Sequence, residues 1–321
     1  MTSTPSSRQC TEPGTDINSI RTLLATAVDH AGLFPPAGLN MSAAVAAFHD
    51  HRHGEHAWML GSFVVPAGRL KELAEAVEGL GAGALDPWPL SVVVASPEEG
   101  AEAMELVRRR LAHVVRVAAF EVRPIEAQTM REKHAHLSGQ AYEGVRLYYE
   151  VPLDERTEAR LDAVAAVAAH AKVRTGGVTA DAFPARGALV RFMRACAERD
   201  LAFKATAGLH HPFPGSYPLT YEPASACARM HGFLSLALTA GLLRADDVDD
   251  AEAVTSLAGG AGDLVGLDDG LSWLGHRLAH ADVVDLRRAF FHSFGSCSFS
   301  EPVEELREAG LLGSDLHHVA P

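Results

Sequence analysis

Short apolar segments rich in valine, phenylalanine and tyrosine alternate with helical patterns along most of the 321-residue chain. The apolar segments lie at 57–67, 89–96, 114–122, 144–153, 170–177 and 201–209. The stretch at 185–199 is typical of the helices between them, because its apolar side chains recur on one face. Regular alternation of strand and helix implies parallel strands joined by right-handed crossovers. Its long repetition favours a closed (β/α)8 barrel, or TIM barrel, over an open sheet.

The alternation is interrupted after residue 212. A proline-rich loop there leads to a long apolar helix expected near 224–243. Asp269 and Gly270 lie between alternating segments, a pattern that predicts a hairpin. The segment AFFHSFGSCSF (289–299) is expected to be the closing strand, followed by a helix. We therefore predict a single barrel domain at 18–321, with a helix and hairpin inserted at about 212–289.

Composition restricts the partners and the location of the protein. The formal net charge of -13, with no basic cluster, argues against binding to nucleic acid. Four widely separated cysteines are typical of reduced thiols in a cytoplasmic protein. Residues 1–17 are polar, lack the apolar stretch of a signal peptide and are expected to form a flexible tail. No apolar run reaches membrane-spanning length, so we expect a cytoplasmic protein without a membrane partner.

Lysine is rare in this chain, with four lysines against 24 arginines. Two of the four, Lys172 and Lys204, interrupt apolar segments that predict neighbouring strands. Side chains alternate across a strand, so Lys172 shares a face with Arg174, and Lys204 shares a face with Thr206. The opposite faces are apolar and should meet the helices, which leaves both amines pointing into the barrel.

Two amines held close together in a partly desolvated pocket can support covalent chemistry. Repulsion and burial both disfavour the charged form, so at least one amine is expected to have a lowered pKa. A neutral lysine can attack an aldehyde or ketone and form a Schiff base, whose iminium nitrogen withdraws electrons from a neighbouring carbon–carbon bond. The structural alternative is that one lysine forms an ion pair with Glu150 and the other extends to the barrel mouth.

The order of several motifs resembles that of deoxyribose-phosphate aldolase, a class I aldolase family with a β/α barrel fold. VDHAGLFPPAGL (28–39) is similar to that family's first-strand IDHTLLKPDAT segment, and VRLYYEVPLDE is similar to its LKVIIETGEL strand. AKVRTGG resembles the KTSTG motif with the Schiff-base lysine, LAFKATAGLH resembles VGFKPAGGVR around the second lysine, and SFGSCS resembles the FGASS phosphate-binding loop. The resemblance covers most of 20–211 and again 290–310.

The resemblance implies roles for several residues. Lys172 would be the Schiff-base nucleophile, and Lys204 would be the neighbouring cation that lowers its pKa. Glu150 would line the same pocket. Asp29 would lie near it at the end of the first strand, and a helix cap is the alternative role for this residue.

One family residue has no match in this chain. The family's catalytic aspartate on the fourth strand is absent from VVRVAAFEVRP, where Arg116 stands near the aligned place and Glu121 is the only carboxylate. Proton transfer at the substrate still requires a general acid or base. Glu121 or Glu150 could supply it, and Glu150 is preferred because its alternation with Tyr148 allows it to face the pocket.

The substrate is expected to be a small carbonyl compound with an anionic group. Arg174 replaces a small serine of the family two residues beyond the nucleophile, and its guanidinium suits an anion. His210 and His211 replace a glycine and arginine pattern, so a carboxylate is at least as plausible as a phosphate. A helix N-terminus and hydroxyl donors near 296–298 also suit an anion. The predicted substrate-binding residues are Arg174, Thr175, Gly176, Thr206, Gly208, His210, His211, Gly295, Ser296 and Ser298.

Two other functions stay open from the sequence alone. His210 and His211, with Glu150, Glu121 or Asp29, could bind a metal ion in a metal-dependent lyase or isomerase. A barrel without catalysis could instead bind a metabolite or a protein partner through the insertion. Our preferred prediction is a class I aldolase-like lyase that acts on a small carbonyl substrate without a cofactor or metal. A homo-oligomer is left open.

Overall fold

The computed structural model describes residues 17–78, 87–139 and 142–312. The tail predicted at 1–17 lies outside these residues, apart from Ile17, which begins the first helix. Eight parallel strands form a closed barrel in which helices alternate with strands. The predicted (β/α)8 barrel is therefore confirmed.

Apart from β1, which only the resemblance predicts, each barrel strand overlaps an apolar segment that the sequence predicts as a strand. The barrel strands are β1 (Val28–His30), β2 (Leu60–Pro66), β3 (Trp88–Val94), β4 (Val115–Val122), β5 (Arg146–Glu150), β6 (His170–Arg174), β7 (Phe203–Thr206) and β13 (Phe291–Ser296). The insertion holds β8 (Gly215–Pro218), β9 (Cys227–Met230), β10 (Leu264–Leu267), β11 (Gly270–Trp273) and β12 (His276–Ala279). The strand β13 pairs with both β1 and β7, so it closes the barrel as predicted.

The helices form the outer layer of the barrel, because their apolar faces pack on the strands. They are α1 (Ile17–Leu24), α2 (Met41–His53), α3 (Leu70–Glu78), α4 (Pro97–Arg110), α5 (Ala127–Lys133), α6 (Thr157–Ala166), α7 (Arg186–Glu198), α8 (Phe233–Arg244), α9 (Asp250–Ser256), α10 (His280–Asp285) and α11 (Ser300–Glu308). The predicted helix at 185–199 is α7, which buries Leu189, Phe192, Met193 and Cys196. A π-helical turn at Leu286–Phe290 precedes the closing strand.

The insertion between β7 and β13 is present but differs in detail from the prediction. The helix expected near 224–243 begins only at Phe233, because 227–230 alternates between exposed and buried residues and forms β9. The strands β8 and β9 make an antiparallel hairpin. Every residue of α8 from Phe233 to Leu243 is buried, as expected of a helix that is apolar on all sides.

The hairpin predicted at Asp269–Gly270 is part of a three-stranded antiparallel sheet, β10–β11–β12. Leu267 pairs with Gly270, so the first turn is Asp268–Asp269, one residue earlier than the predicted Asp269–Gly270 turn. The second turn, Leu274–Gly275, has positive φ at both residues, which suits the twist of the flanking strands.

Aromatic side chains close the barrel interior toward the amino-terminal ends of the strands. Tyr148 lies opposite His170 in the β5–β6 pair, and its hydroxyl is 2.8 Å from Nδ1 of His292. The rings of His170 and His292 lie 4.8 Å apart, edge to face. Burial lowers the pKa of His170 to about 4 and that of His292 to about 3, with a smaller effect from nearby Arg146. Both imidazoles are therefore neutral at neutral pH.

None of the helices in the described part of the chain combines the length and apolar character needed to cross a membrane.

Candidate active site

Lys172 and Lys204 lie side by side toward the carboxyl-terminal end of the barrel. The strands β6 and β7 pair in parallel, with Lys172 opposite Lys204. Both side chains are buried and line the same interior pocket, as the alternation along the strands predicts. Enzymes with this fold keep their active sites at the same end of the barrel.

Glu121 on β4 connects the two lysines. Its Oε1 accepts a hydrogen bond from Lys204 Nζ at 2.6 Å, and its Oε2 accepts one from Lys172 Nζ at 3.2 Å. Ser91 Oγ donates to the same Oε1 at 2.7 Å. Burial alone would raise the pKa of Glu121, but the two ammonium groups and the Ser91 hydroxyl outweigh it and lower the pKa to about 2. Glu121 is therefore ionised and fixes the spacing of the two amines.

Asp29 on β1 holds Lys204 from the other side. Its Oδ2 accepts hydrogen bonds from Lys204 Nζ at 2.6 Å and from Ser293 Oγ at 2.7 Å, while its Oδ1 accepts one from Ser62 N at 2.7 Å. Gly61 permits this approach, since a Cβ there would lie 2.5 Å from Oδ1. Asp29 thus positions Lys204, and the alternative role as a helix cap is wrong.

The pKa of Lys204 is raised. Burial would lower it, but Asp29, Glu121 and Tyr148 outweigh burial. The Tyr148 ring centroid lies 5.4 Å from Nζ, which adds a cation–π contact. The argument from repulsion between the amines left out the carboxylates that contact them, and these carboxylates keep the charge on Lys204. Lys204 is an ammonium at neutral pH.

Lys172 faces the pocket beside Glu150. Its Nζ lies 2.8 Å from Glu150 Oε2, so the lysine–Glu150 ion pair considered as a structural alternative is present. The other half of that alternative is wrong, because the Lys204 side chain is only 1% exposed and does not reach the barrel mouth. Lys172 and Glu150 both line the pocket. A proton can pass directly between these two groups at this distance.

The pocket above the lysines has a volume of about 380 Å³. One wall is apolar and is formed by Phe34, Pro35, Pro36, Val64 and Val93. The opposite wall carries the charged side chains. Small-molecule sites in proteins range from about 300 to 1,000 Å³, so this pocket has room for a small metabolite.

Two guanidinium groups lie at the rim of the pocket. Arg174 ends β6 and Arg123 follows β4, and both are exposed. Neither forms an ion pair or a side-chain hydrogen bond within the described residues. They offer free donors to an anionic group of a ligand. Arg174 was predicted from the sequence as a substrate-binding residue. Arg123 was missed, because a single arginine after an apolar segment does not by itself indicate a binding site.

The other predicted substrate-binding residues divide into two groups. The pocket is lined by Thr206, Gly208, His210 and Gly295. Thr175 and Gly176 do not line it, because Thr175 Oγ1 donates to the Ala207 carbonyl at 2.7 Å and the Phe183 ring covers Gly176. These two residues shape the turn after β6.

In the SFGSCS segment, which resembles a phosphate-binding loop, the serine side chains lie within hydrogen-bonding distance of other residues of the protein. Ser298 Oγ accepts a hydrogen bond from Glu301 N at 3.2 Å at the start of α11. Ser296 is buried, with its Oγ 3.3 Å from Nδ1 of His210. The Glu301 carboxylate lies 3.3 Å from the same nitrogen. A carboxylate at this place repels an anion, so the loop is poorly suited to a phosphate.

His210 joins the pocket to a small polar cluster of Cys297, Glu301 and Tyr221. Its Nδ1 lies 3.7 Å from Cys297 Sγ, and the Tyr221 hydroxyl donates to Glu301 at 3.0 Å. Burial would lower the pKa of His210, but its contacts with Cys297 and Glu301 outweigh burial and raise it to about 9. His210 is therefore an imidazolium at neutral pH. Glu301 and Tyr221 were not predicted, since Tyr221 lies in the insertion, far along the chain from Cys297 and Glu301.

The predicted metal-ligand set is not assembled. The His211 ring stacks on Tyr217 at 3.4 Å and pairs with Glu305, away from Glu121 and Asp29. Both of these carboxylates contact Lys204 instead. Within the described ranges, no group of three or more histidine, cysteine, aspartate or glutamate side chains could hold a metal ion.

Comparison of the chain with protein-family models and with curated proteins gives no match to either. The class of protein is defined by the fold and the pocket alone. The chain is a β/α barrel, an architecture commonly found in enzymes, and it has a charged pocket toward the carboxyl-terminal ends of its strands. The resemblance to deoxyribose-phosphate aldolase stays a prediction from the motifs.

Proposed function

We propose that this protein is a class I aldolase-like lyase in which Lys172 forms a Schiff base with a small aldehyde or ketone that carries an anionic group. The observation that carries the proposal is the pairing of Lys172 and Lys204 across β6 and β7, with Glu121 bound to both amines. A barrel that only binds a ligand has no evident need for two buried amines, because burying charge is costly.

The two lysines have different tasks. Lys204 is held by Asp29 and Glu121 and keeps its proton, so it supplies a fixed positive charge beside the reacting amine. Lys172 contacts Glu150 at the pocket surface and has an acceptor for its proton. Lys172 is therefore the nucleophile, and Lys204 is a positioning residue.

Glu150 carries the proton in the proposed reaction. Transfer of a proton from Lys172 Nζ to Glu150 leaves a neutral amine, whose lone pair attacks the carbonyl carbon and gives a carbinolamine. Return of the proton to the carbinolamine oxygen releases water and leaves an iminium. Glu150 next takes the proton of the hydroxyl on the β carbon of the substrate. The bond between the α and β carbons breaks, its electrons move toward the iminium nitrogen, and an aldehyde leaves an enamine on Lys172. Transfer of the same proton to the α carbon restores the iminium, and addition of water to the iminium carbon releases the second product and restores Lys172.

The charged rim supports an anionic substrate. Arg123 and Arg174 stand on either side of β5, which carries Glu150, and have no ion pair within the described residues. Guanidinium groups bind carboxylates with two parallel hydrogen bonds. The negative charge of Glu301 lies at the other side of the pocket, by His210. A carboxylate-bearing carbonyl compound fits this distribution of charge better than a sugar phosphate does.

Reductive trapping tests the proposal. The full chain is incubated with a panel of small aldehydes and keto acids in the presence of borohydride, and peptide mass spectrometry locates the adduct. We expect a stable adduct on Lys172, which is lost in Lys172→Ala and Lys172→Arg because neither replacement can form an iminium. Lys71→Arg, at an exposed lysine, is the matched control and should leave trapping unchanged. The proposal is wrong if no compound in the panel is trapped, or if the adduct persists in Lys172→Ala.

A further inference from the structure

A second cavity lies between the insertion hairpin and the beginning of α7. Its volume is about 540 Å³, and it shares no lining residue with the pocket that contains the lysines. Arg186 and Gly187 of α7 form one side, and Arg229 of β9 forms another. Its apolar walls come from Phe183 and Met230, with further residues nearby.

The two arginines bring like charges together without a counter-charge. Neither Arg186 nor Arg229 forms an ion pair or a side-chain hydrogen bond within the described ranges. No aspartate or glutamate lines the cavity. Burial and the charge of Arg229 lower the pKa of Arg186, which shows that the two guanidinium groups affect each other. Such a pair is unexpected in a chain of formal net charge -13, because carboxylates outnumber basic side chains and could pair with these arginines.

The beginning of α7 adds to the positive charge at this place. The helix starts at Arg186 without a side-chain cap and has no acidic residue in its first turn. The amino-terminal end of a helix carries a partial positive charge, so an arginine there is unfavourable unless an anion is present. Three sources of positive potential therefore face one cavity. A bound anion would be attracted to each of the three and would offset the repulsion among them.

We propose that this cavity binds a phosphorylated small molecule, with the phosphate group between Arg186 and Arg229. Two guanidinium groups can each donate a pair of hydrogen bonds to phosphate oxygens, a geometry that a lysine cannot provide. The apolar walls at Phe183, Pro184, Met230 and Val254 contact the remainder of the molecule. The expected ligand is a phosphate monoester with an apolar body.

The location connects this cavity to the turn that borders the lysine pocket. Phe183 packs with the hairpin cluster of Leu219, Ala228 and Met230. The same ring lies against Gly176 and Gly208. A phosphate held by one arginine from α7 and one from β9 would join the hairpin to this turn.

Binding measurements on the full chain test the proposed site. Phenyl phosphate and inorganic phosphate are titrated by calorimetry, and phenyl phosphate is expected to bind more tightly because its ring contacts the apolar wall. In Arg186→Gln and in Arg229→Gln the Kd of phenyl phosphate should rise about tenfold or more, since each loses charge-assisted hydrogen bonds. Circular dichroism confirms that both variants are folded.

Two control variants locate the binding. Arg191→Gln changes an exposed arginine of α7 outside the cavity, and Arg174→Gln changes the rim of the lysine pocket. Both should keep the Kd of the unaltered protein. The proposed site is ruled out if phenyl phosphate does not bind, if both cavity variants bind as before, or if Arg174→Gln is the variant that loses binding. None of these results depends on Schiff-base chemistry at Lys172.

Discussion

At the scale of single residues, the amines and carboxylates of the pocket form one network and cannot be understood in pairs. Glu121 contacts both lysines, Asp29 contacts Lys204, and Glu150 contacts Lys172. Three carboxylates thus face two amines, which explains why the pKa of Lys204 is raised although burial opposes it. The asymmetry between the lysines comes from their partners, because Lys204 contacts Asp29 and Glu121 whereas Lys172 contacts Glu121 and Glu150.

Replacing Lys204 should strongly destabilise the fold. In Lys204→Met, the carboxylates of Asp29 and Glu121 would lose their shared buried cation, and breaking a buried ion pair in this way costs about 3–5 kcal/mol. Urea unfolding followed by circular dichroism measures the loss. Lys71→Met is the matched control at an exposed lysine and should change the free energy of unfolding by no more than about 0.5 kcal/mol. Equal effects of the two substitutions would show that the network contributes little to stability.

The raised pKa of His210 predicts a loss of stability in alkaline solution. Its folded-state pKa is about 9 against an ordinary value of 6.5. Its stabilising contribution is therefore complete below pH 6.5 and is lost as the pH rises through about 9. Removing the carboxylate in Glu301→Gln should bring the pKa of His210 down and reduce this alkaline loss.

NMR titration of His210 and unfolding curves across the same pH range provide the two measurements. Glu305→Gln is the control, since Glu305 lies on the same helix but pairs with His211. That variant should keep the pKa of His210 raised. A His210 pKa at or below its ordinary value in the unaltered protein would contradict the prediction.

At the scale of elements, the strands could be predicted from the sequence because buried parallel strands are short, continuous apolar runs. Alternation along β6 and β7 also correctly placed Lys172 and Lys204 inside the barrel. The hairpin β8–β9 was missed, since β8 lies in a proline-rich segment and β9 falls within the stretch predicted as the helix at 224–243.

The role of Glu121 could not be obtained from the sequence for a different reason. The pairing of β4 with β3 shifts between Val117 and Ala119, so one residue of β4 has no partner. Such a bulge changes the direction in which the following side chains point, and it cannot be recognised from the sequence of the strand. Arg116, which stands near the place of the family's aspartate, is exposed near the start of β4. Glu121, on the same strand, reaches both amines.

The turn after β7 leaves no room for a side chain at Gly208. Gly208 has a φ of +71°, and a Cβ there would lie 2.7 Å from the Phe183 ring and 3.0 Å from Gly176 Cα. We expect Gly208→Ala to destabilise the protein by about 1–3 kcal/mol, because both the backbone strain and the contact are unfavourable. Gly68→Ala is the matched control, since nothing lies within 4 Å of its Cβ. Comparable urea midpoints for the two variants would contradict the expected strain.

At the scale of the whole molecule, positive charge is concentrated where ligands are proposed to bind. Five cations, Arg123, Lys172, Arg174, Lys204 and His210, line the first pocket together with two carboxylates, Glu121 and Glu150, and two arginines line the second cavity. The chain as a whole has a formal net charge of -13. Clefts of one sign raise the local concentration of oppositely charged small molecules, and salt weakens this effect. The two cavities are therefore places where small anions would concentrate on an otherwise acidic protein.

The barrel and the insertion are expected to unfold together. One hydrophobic cluster extends from Trp88 of the barrel strand β3 to Trp273 in the insertion, and both side chains are fully buried. Phe233 of α8 also stacks on Phe294 of the closing strand at 4.5 Å. Loss of the insertion would expose barrel strands, so neither part has a separate core.

Two variants that each retain one tryptophan test this prediction. The chain has three tryptophans, so Trp58→Phe with Trp273→Phe leaves Trp88, and Trp58→Phe with Trp88→Phe leaves Trp273. In each variant the urea midpoint by fluorescence should equal the midpoint by far-ultraviolet circular dichroism, because a shared core unfolds as one cooperative unit. A Trp273 transition at clearly lower urea than the loss of helix signal would mean that the insertion is a separate folding unit, and the predicted single domain would be wrong.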